Sequence, residues 1–407
     1  MNPPHTHPLP DDTQIVDACL ERGIDTVCIV EDSSMASLGQ YFFDLASKGK
    51  MTRWVLPSER SLPSVAAGRW LATGSLTLQS MQNTGLSNAA DSLRTLMAIH
   101  RIPGLVMSGW RGFDPVIDDS EPHILVGNVT DADARNIFDS PCIFGHRDGR
   151  NLLQETRTAV ECALGGCLSI LRVSPAGFRA TRYPTTPSGK RAAGFDPALY
   201  AERAERKGKP FLKVREEPLL SRDEALRHIH EMMSPLNPFY IVGNGYNARA
   251  MQALRITDRT FENAGAMGTS LGIAWGAAKS RPDVVFVAID GDQNAVMSEM
   301  EKVLSSDYPE NLFWFILDNG VGESVGLTPS IPLSPWHYEL AHVINTASGS
   351  SGSFVYPRMN ASGVKFEAPE ARHLAEQIGN LPAQAHLARR ILSAGATNDS
   401  QSSRPAP

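Results

Sequence analysis

The chain has 407 residues, 42% of them hydrophobic and 20% charged, enough for a real core and for two or three domains of about 150 residues. Its 33 glycines and 28 prolines are too few for a collagenous or low-complexity chain. Thirty-eight basic against 44 acidic residues give a net charge of −6, which argues against a nucleic-acid surface while leaving room for local cations around an anionic substrate.

The opening stretch, MNPPHTHPLPDD, lacks the basic start and apolar run of a secretory signal. Short β-branched runs then alternate with amphipathic segments, the pattern of a parallel sheet covered on both faces. In the first half the pattern predicts strands at 26–30, 53–56, 76–81 and 104–108, with helices at 35–46 and 62–72 among them. A polar, proline-bearing stretch from Arg172 to Pro218 reads as the body of a linker assigned to 166–225. The second half predicts strands at 239–242, 284–289 and 312–317, with helices at 248–254, 270–278 and 295–305. Residues 395–407, rich in Ser, Ala, Pro and Asn, read as a disordered tail. The expected fold class is therefore α/β, with two doubly wound parallel-sheet domains at 1–165 and 226–394.

The longest apolar runs, 284–289 and 312–317, are strand-sized and far short of the ~18 residues of a membrane span. Five cysteines (Cys19, Cys28, Cys142, Cys162 and Cys167) include no CxxC pair, so neither a disulfide framework nor a zinc site is expected. Together these features describe a cytoplasmic enzyme with reduced thiols.

The most informative stretch is VVFVAIDGDQNAVMSEMEKVL, followed by LFWFILDNGVGESVG. One predicted strand ends in Asp290-Gly291-Asp292 with a helix beginning near Asn294, and the next ends in Asp318-Asn319-Gly320. Asp292 and Asn319 are 27 residues apart, about one strand–helix–strand excursion. Parallel neighbours put both turns at one carboxyl edge, where ligands of open α/β sheets bind. The oxygens of Asp292 and Asn319, with the carbonyl of Val321, would converge on one hard cation. Magnesium takes such ligands and keeps room for phosphate oxygens, and a helix start near Asn294 offers N–H groups to a diphosphate. Taken singly, each turn reads better as an ordinary strand-end turn; strand, Gly-Asp, helix, strand and Asn at this interval argue for the site.

Gly-Asp followed 27 residues later by Asn, each after a strand, resembles the cofactor signature of thiamine-diphosphate-dependent decarboxylases. Further segments are similar to the phosphonopyruvate and sulfopyruvate decarboxylase family: Pro57-Ser58-Glu59, the run MQNTGLSN at 81–88, Gly109-Trp110-Arg111-Gly112, Glu121-Pro122-His123, Gly265-Ala266-Met267-Gly268 and Glu323-Ser324-Val325-Gly326. The resemblance implies a pyrimidine-binding first domain, a diphosphate-binding second domain, thiamine diphosphate and Mg2+ as cofactors, and a homodimer or larger homo-oligomer with sites at the subunit interface. It implies that Glu59 shares a proton with the aminopyrimidine ring, that Met267 wedges beneath the cofactor, and that Gly265 offers its carbonyl to the 4′-amino group. Gly291, Asp292, Gln293, Asn294, Asn319 and Val321 would line the diphosphate and metal. Asn83, Asn88, Arg111 and His123 would meet the substrate, where a guanidinium suits an oxyanion and an imidazole adds charge near neutrality.

The implied reaction is decarboxylation of an anionic 2-oxo acid, foremost 3-phosphonopyruvate to phosphonoacetaldehyde. Sulfopyruvate or another 2-oxo acid, carboligation to an acceptor aldehyde, and a catalytically silent family member are the alternatives. Several positions depart from the family pattern and face cofactor or substrate on this reading: Asn244-Gly245, Thr269, Gln293, Gly322 and the Leu327-Thr328 pair. Rival motifs are weaker. Gly243-Asn244-Gly245-Tyr246-Asn247-Ala248 fits a dinucleotide fingerprint only formally, and two five-residue matches to the serine-hydrolase elbow lie at 268–272 and 322–326. His228 and His230, two apart on a helix, make a poor metal pair.

Overall fold

A computed structural model describes residues 8–112, 121–137, 142–181, 219–255, 259–263, 265–323 and 327–348. In the first half, α1 (Asp12–Leu20), β1 (Thr26–Ile29), α2 (Ala36–Ser47), β2 (Thr52–Val55), α3 (Ser61–Thr73) and β3 (Leu78–Gln82) come first. They are followed by α4 (Asn83–Ser92), β4 (Gly104–Gly109), α5 (Glu121–Ile137), β5 (Ile143–Phe144), α6 (Leu152–Leu164) and β6 (Leu168–Val173). The strands form one sheet in the order β2-β1-β3-β4-β6-β5, every pair parallel.

The second half holds α7 (Arg222–Met233), β7 (Phe239–Val242), α8 (Tyr246–Leu254), β8 (Thr260–Glu262), α9 (Ser270–Ser280) and β9 (Phe286–Gly291). Then come α10 (Asp292–Val296), α11 (Glu301–Leu304), β10 (Leu312–Asp318), β11 (Val321–Gly322), β12 (Thr328–Pro329), α12 (Pro335–Leu340) and β13 (His342–Asn345). Its sheet runs β13-β10-β9-β7-β8, again all parallel, and β11 pairs antiparallel with β12 in a separate ribbon. Both sheets are thus the doubly wound α/β type that the alternation predicts. Their inner strands are mostly buried, since helices cover both faces, and in the first sheet they also carry buried polar residues such as Gln79, Ser80 and Ser108.

Each sheet has a switch point where successive connections leave in opposite directions, between β1 and β3 in the first and between β7 and β9 in the second. Register fixes the second site directly. Leu317 pairs with Gly291, so Asp292 and the Asp318-Asn319 turn leave neighbouring strands at almost the same level.

The two halves meet along α3 and α9. A Cβ on Gly68 would stand 2.0 Å from the Ile273 carbonyl oxygen, and one on Gly276 would stand 2.3 Å from the Val65 oxygen. Only glycine lets the two helix backbones approach so closely. One continuous apolar core runs from the first sheet through this crossing to one face of the second, whose other face is covered by α7 and α8.

Two expectations are corrected. Leu168–Val173 is an inner strand with all six residues buried, so the expected linker boundary at 166 falls before a strand of the first sheet. Its Arg172 is polar but buried, donating to the carbonyls of Phe144 (3.1 Å) and Gly145 (2.9 Å) and lying over the Trp110 ring. The helix expected at 295–305 is two short helices, broken where Gly268 packs against the Met297 backbone, 2.6 Å from its oxygen to a built Cβ. Most of the expected linker, 182–218, and the expected tail lie outside the described residues.

Candidate active site

Asp292 opens α10 immediately after β9 and is 5% exposed. Its carboxylate accepts from the Gln293 N–H (2.9 Å) and from the Ser330 hydroxyl, while the Gly320 N–H of the neighbouring strand-end loop donates to Asp318 Oδ1 at 3.0 Å. Burial raises its pKa above the ordinary carboxylate value, opposed by those donors. Asn319, 7% exposed, turns its Oδ1 to the Val321 N–H at 3.1 Å. Pro329 stands opposite Val321 in the ribbon and has no N–H to give, so the pairing makes no demand on the Val321 carbonyl at that rung. A buried carboxylate, an amide oxygen and a main-chain carbonyl on one cleft wall are the donor set of a hard divalent cation.

Met267, Gly291, Gln293 and Asn294 line the same cleft. The side chain of Asn294 is spent within the protein: its Oδ1 accepts from Gly268 N–H (2.6 Å), and its Nδ2 donates to Asp290 and, at 3.3 Å, to Ser270 Oγ. Trp314 Nε1 donates to the other oxygen of Asp290 at 3.0 Å, and burial holds that carboxyl up at about 6. This network ties the Met267 turn to the end of β9. The Gly265 carbonyl receives the Asn244 amide at 3.1 Å. With only five residues in α10, the expected helix-dipole contribution from the start near Asn294 shrinks to a single turn of N–H groups.

Arg222 was not singled out from the sequence. A capping box, Ser221 with Glu224, fixes the start of α7 and sets Arg222 into the cleft at 7% exposure. Its Nε donates to Asn247 Oδ1 (3.0 Å) and its Nη2 pairs with Glu323, while Nη1 has no hydrogen-bond partner among the described residues. A buried guanidinium N–H left over beside that cation donor set fits a diphosphate. The only sequence signal was the box itself, which announced a helix start and not a ligand.

Glu59 stands just before α3, its Oε2 accepting from Asn88 Nδ2 at 2.9 Å. Asn88 also reaches Ser58 Oγ (3.1 Å), and Gly85 leaves the space that Glu59 fills. The Asn88 amide nitrogen therefore orients the glutamate. Asn83, 1% exposed, donates to the Arg111 carbonyl (3.1 Å) and to Thr130 Oγ1 (3.0 Å), which pins the Arg111 loop to α5. Its amide nitrogen is thereby spent on bracing that loop, while its Oδ1 has no hydrogen-bond partner among the described residues. Arg111 Nη1 donates to Ser33 Oγ at 2.9 Å, beside Asp32. Asp32, which sequence reading passed over, is 6% exposed, with burial raising its pKa and Oδ2 unbonded among the described residues. His123 lies on α5, whose backbone at that point meets Gly112.

The Glu59 loop and the Met267 turn touch: Arg60 Nη2 donates to the Met267 carbonyl at 2.7 Å, and Gly265 packs on Thr95. These contacts lie within one chain, whereas the resemblance places the matching halves on different subunits. Thr269 is also corrected. It is 3% exposed and bonded to Ala266 O (2.7 Å) and Asn263 Nδ2 (2.8 Å), so it braces the turn instead of facing a ligand. Ser270 of the first elbow match is buried against Asn294, and Ser324 of the second lies outside the described residues.

Residues 244–373 match the family described as thiamine pyrophosphate enzyme, C-terminal TPP binding domain. Phosphonopyruvate decarboxylase of Streptomyces hygroscopicus is 30% identical over 311 residues, 75% of this chain and 71% of the relative. The phosphonopyruvate decarboxylase of Streptomyces viridochromogenes is 26% identical over 347 residues, 81% and 80%. Two solved structures share the fold: benzoylformate decarboxylase from Polynucleobacter necessarius (TM-score 0.59, 11% identity, 83% of this chain and 98% of that one) and the thiamine diphosphate-dependent 4-hydroxybenzoylformate decarboxylase of Rhodococcus jostii (0.55, 13%, 95% and 96%). On this similarity and the site just described, the chain belongs to the phosphonopyruvate decarboxylase family of thiamine diphosphate-dependent decarboxylases.

Proposed function

We propose that the protein decarboxylates an anionic 2-oxo acid, 3-phosphonopyruvate first among them, taking up one proton and releasing carbon dioxide and phosphonoacetaldehyde. The observation that carries this reading is the convergence of Asp292, Asn319 and Val321 in one cleft beside the turn that bears Met267. Thiamine diphosphate, when bound, supplies the electron sink for loss of carbon dioxide. The protein's part is positional and electrostatic. Asp292, Asn319 and the Val321 carbonyl would hold Mg2+, and Arg222 Nη1 would add a donor to the diphosphate. Gly291 and Gln293 would line the diphosphate, and Met267 in the same cleft would pack against the cofactor. Glu59, oriented by Asn88, would hold the proton shared with the pyrimidine nitrogen. Arg111, braced by Asn83 and Ser33, receives the anionic end of the substrate with His123 near it. Five unbridged cysteines fit a reducing compartment, the cytoplasm.

The test is direct. Purified protein with Mg2+ and thiamine diphosphate is offered 3-phosphonopyruvate, sulfopyruvate, pyruvate and acceptor aldehydes, with carbon dioxide measured and products identified by mass. Release from 3-phosphonopyruvate above the others supports the reading, ligated products redirect it, and no release from any short 2-oxo acid overturns it.

A further inference from the structure

Three of the five cysteines, scattered in sequence, meet in the fold at a place the reaction does not use. Cys142 precedes β5, Cys162 lies in the last turn of α6 and Cys167 precedes β6. Their sulfur atoms all lie within 4.8 Å of one another, with Cys142 and Cys162 at 2.8 Å. The backbone fixes each one: the Cys142 carbonyl accepts from Ile170 N–H (2.9 Å), the Cys162 carbonyl from Cys167 N–H (3.1 Å), and the Cys167 carbonyl from Gly104 N–H (3.1 Å). Cys142 is buried at 4% exposure, while Cys162 and Cys167 are half-buried, so the cluster opens to solvent on one side.

We propose that Cys142, Cys162 and Cys167 form a three-thiolate site for a soft divalent metal ion of the zinc class, with the solvent side as the open fourth position. Tetrahedral zinc thiolates have sulfur atoms about 3.8 Å apart, a value inside the 4.8 Å that bounds the present separations, so Cys142 and Cys162 would have to part from 2.8 Å on binding. The chain between Cys162 and Cys167 is four residues, within the C-x2–4-C range of zinc ligands, with Gly166 at φ +100° making the turn. Binding converts three thiols and M2+ into one M(S)3 unit of charge −1 and releases three protons. The cluster sits at the amino-terminal edge of β5 and β6, opposite the carboxyl edge where the catalytic loops gather, so the ion, with water as its fourth ligand, would tie the two-residue edge strand to α6 and β6.

Full-length protein, reduced and chelated under anaerobic conditions, is titrated with Cd2+ while the near-ultraviolet cadmium–thiolate absorption is followed. That band reports sulfur ligation alone and is blind to carboxylate sites. We expect saturation at one ion per chain, displacement by Zn2+, retention of the band in Asp292→Asn and Cys19→Ala, and its loss or marked weakening in Cys167→Ser. In the unmutated protein, Zn2+ should slow alkylation of Cys162 and Cys167, read by peptide mass, which keeps the test independent of variant folding. Absence of the band, an unaltered band in a folded Cys167→Ser protein, or a Cys142–Cys162 disulfide in place of metal binding overturns the proposal. Because the band persists or fails independently of Asp292, its outcome is distinct from that of the decarboxylase reading.

Discussion

Glu59 owes its position to two neighbours on α4. Asn88 holds its oxygen at 2.9 Å, and Gly85 clears its path, since a Cβ there would lie 2.4 Å from Glu59 Cγ. Gly85→Ala therefore displaces the carboxylate, while alanine inside a helix is intrinsically favoured over glycine by about 1 kcal/mol. We expect turnover to fall by about 100-fold or more without loss of thermal stability, and stabilisation by cofactor plus Mg2+ to remain. Wild-type turnover in that variant would remove Glu59's placement from the mechanism. A second residue-scale effect is one of stability. Burial pulls the His100 imidazole from 6.5 down to about 4. The unfolded chain therefore takes up a proton that the folded chain refuses. This contribution is complete above about pH 6.5 and is lost as pH falls toward 4, a change of up to about 3 kcal/mol. His100→Phe, which keeps a ring against Phe261 at that position, should show a shallower decline in urea-unfolding free energy between pH 7 and 4.5. Identical slopes would place the pH dependence elsewhere. The partners of Asn83 and Asn88, and the Gly268 and Ser270 partners of Asn294, come from segments more than twenty residues away, so their contacts were not readable from the sequence.

At the scale of elements, α3 and α9 decide how the halves join. Their predicted spans were nearly right, because apolar periodicity and strand-end turns are local signals. Their glycines carry the joint, and no periodicity announces that. A methyl on Gly68 meets backbone, which cannot yield as a side chain tip does. Gly68→Ala should lower the unfolding free energy by about 1–3 kcal/mol, read from the denaturant midpoint, with an unchanged slope. No shift would mean that the helices separate easily. The break between α10 and α11 has the same origin, since close approach of the Gly268 turn to Met297 overrides a helical pattern that the sequence supports. β6 escaped notice because Arg172 interrupts its apolar run, and the Asp131 carboxylate together with the carbonyls of Phe144 and Gly145 makes that arginine tolerable indoors.

At the scale of the molecule, the open matter is which chain supplies the glutamate. The Arg60–Met267 contact brings the two halves of one chain together, and family resemblance points to exchange between subunits. Equal amounts of Glu59→Gln and Asp292→Asn proteins, each inactive alone, discriminate the two arrangements. Mixed dimers with sites between subunits regain about a quarter of wild-type turnover, whereas sites built within one chain regain none. Thermal shift adds a control: the Glu59→Gln protein should gain about 2.7 kcal/mol at 100 times the dissociation constant of the cofactor, and Asp292→Asn should gain far less.

The sequence alone determined the alternation of strands and helices, the two parallel sheets and the Gly-Asp and Asn turns of a cofactor edge, because periodicity and turn chemistry act over a few residues. Tertiary structure decided which polar groups at that edge are already spoken for, that Arg222 enters the cleft, and that three distant cysteines share one place. Those facts depend on segments converging from across the chain, and convergence is set by packing, which no local pattern records.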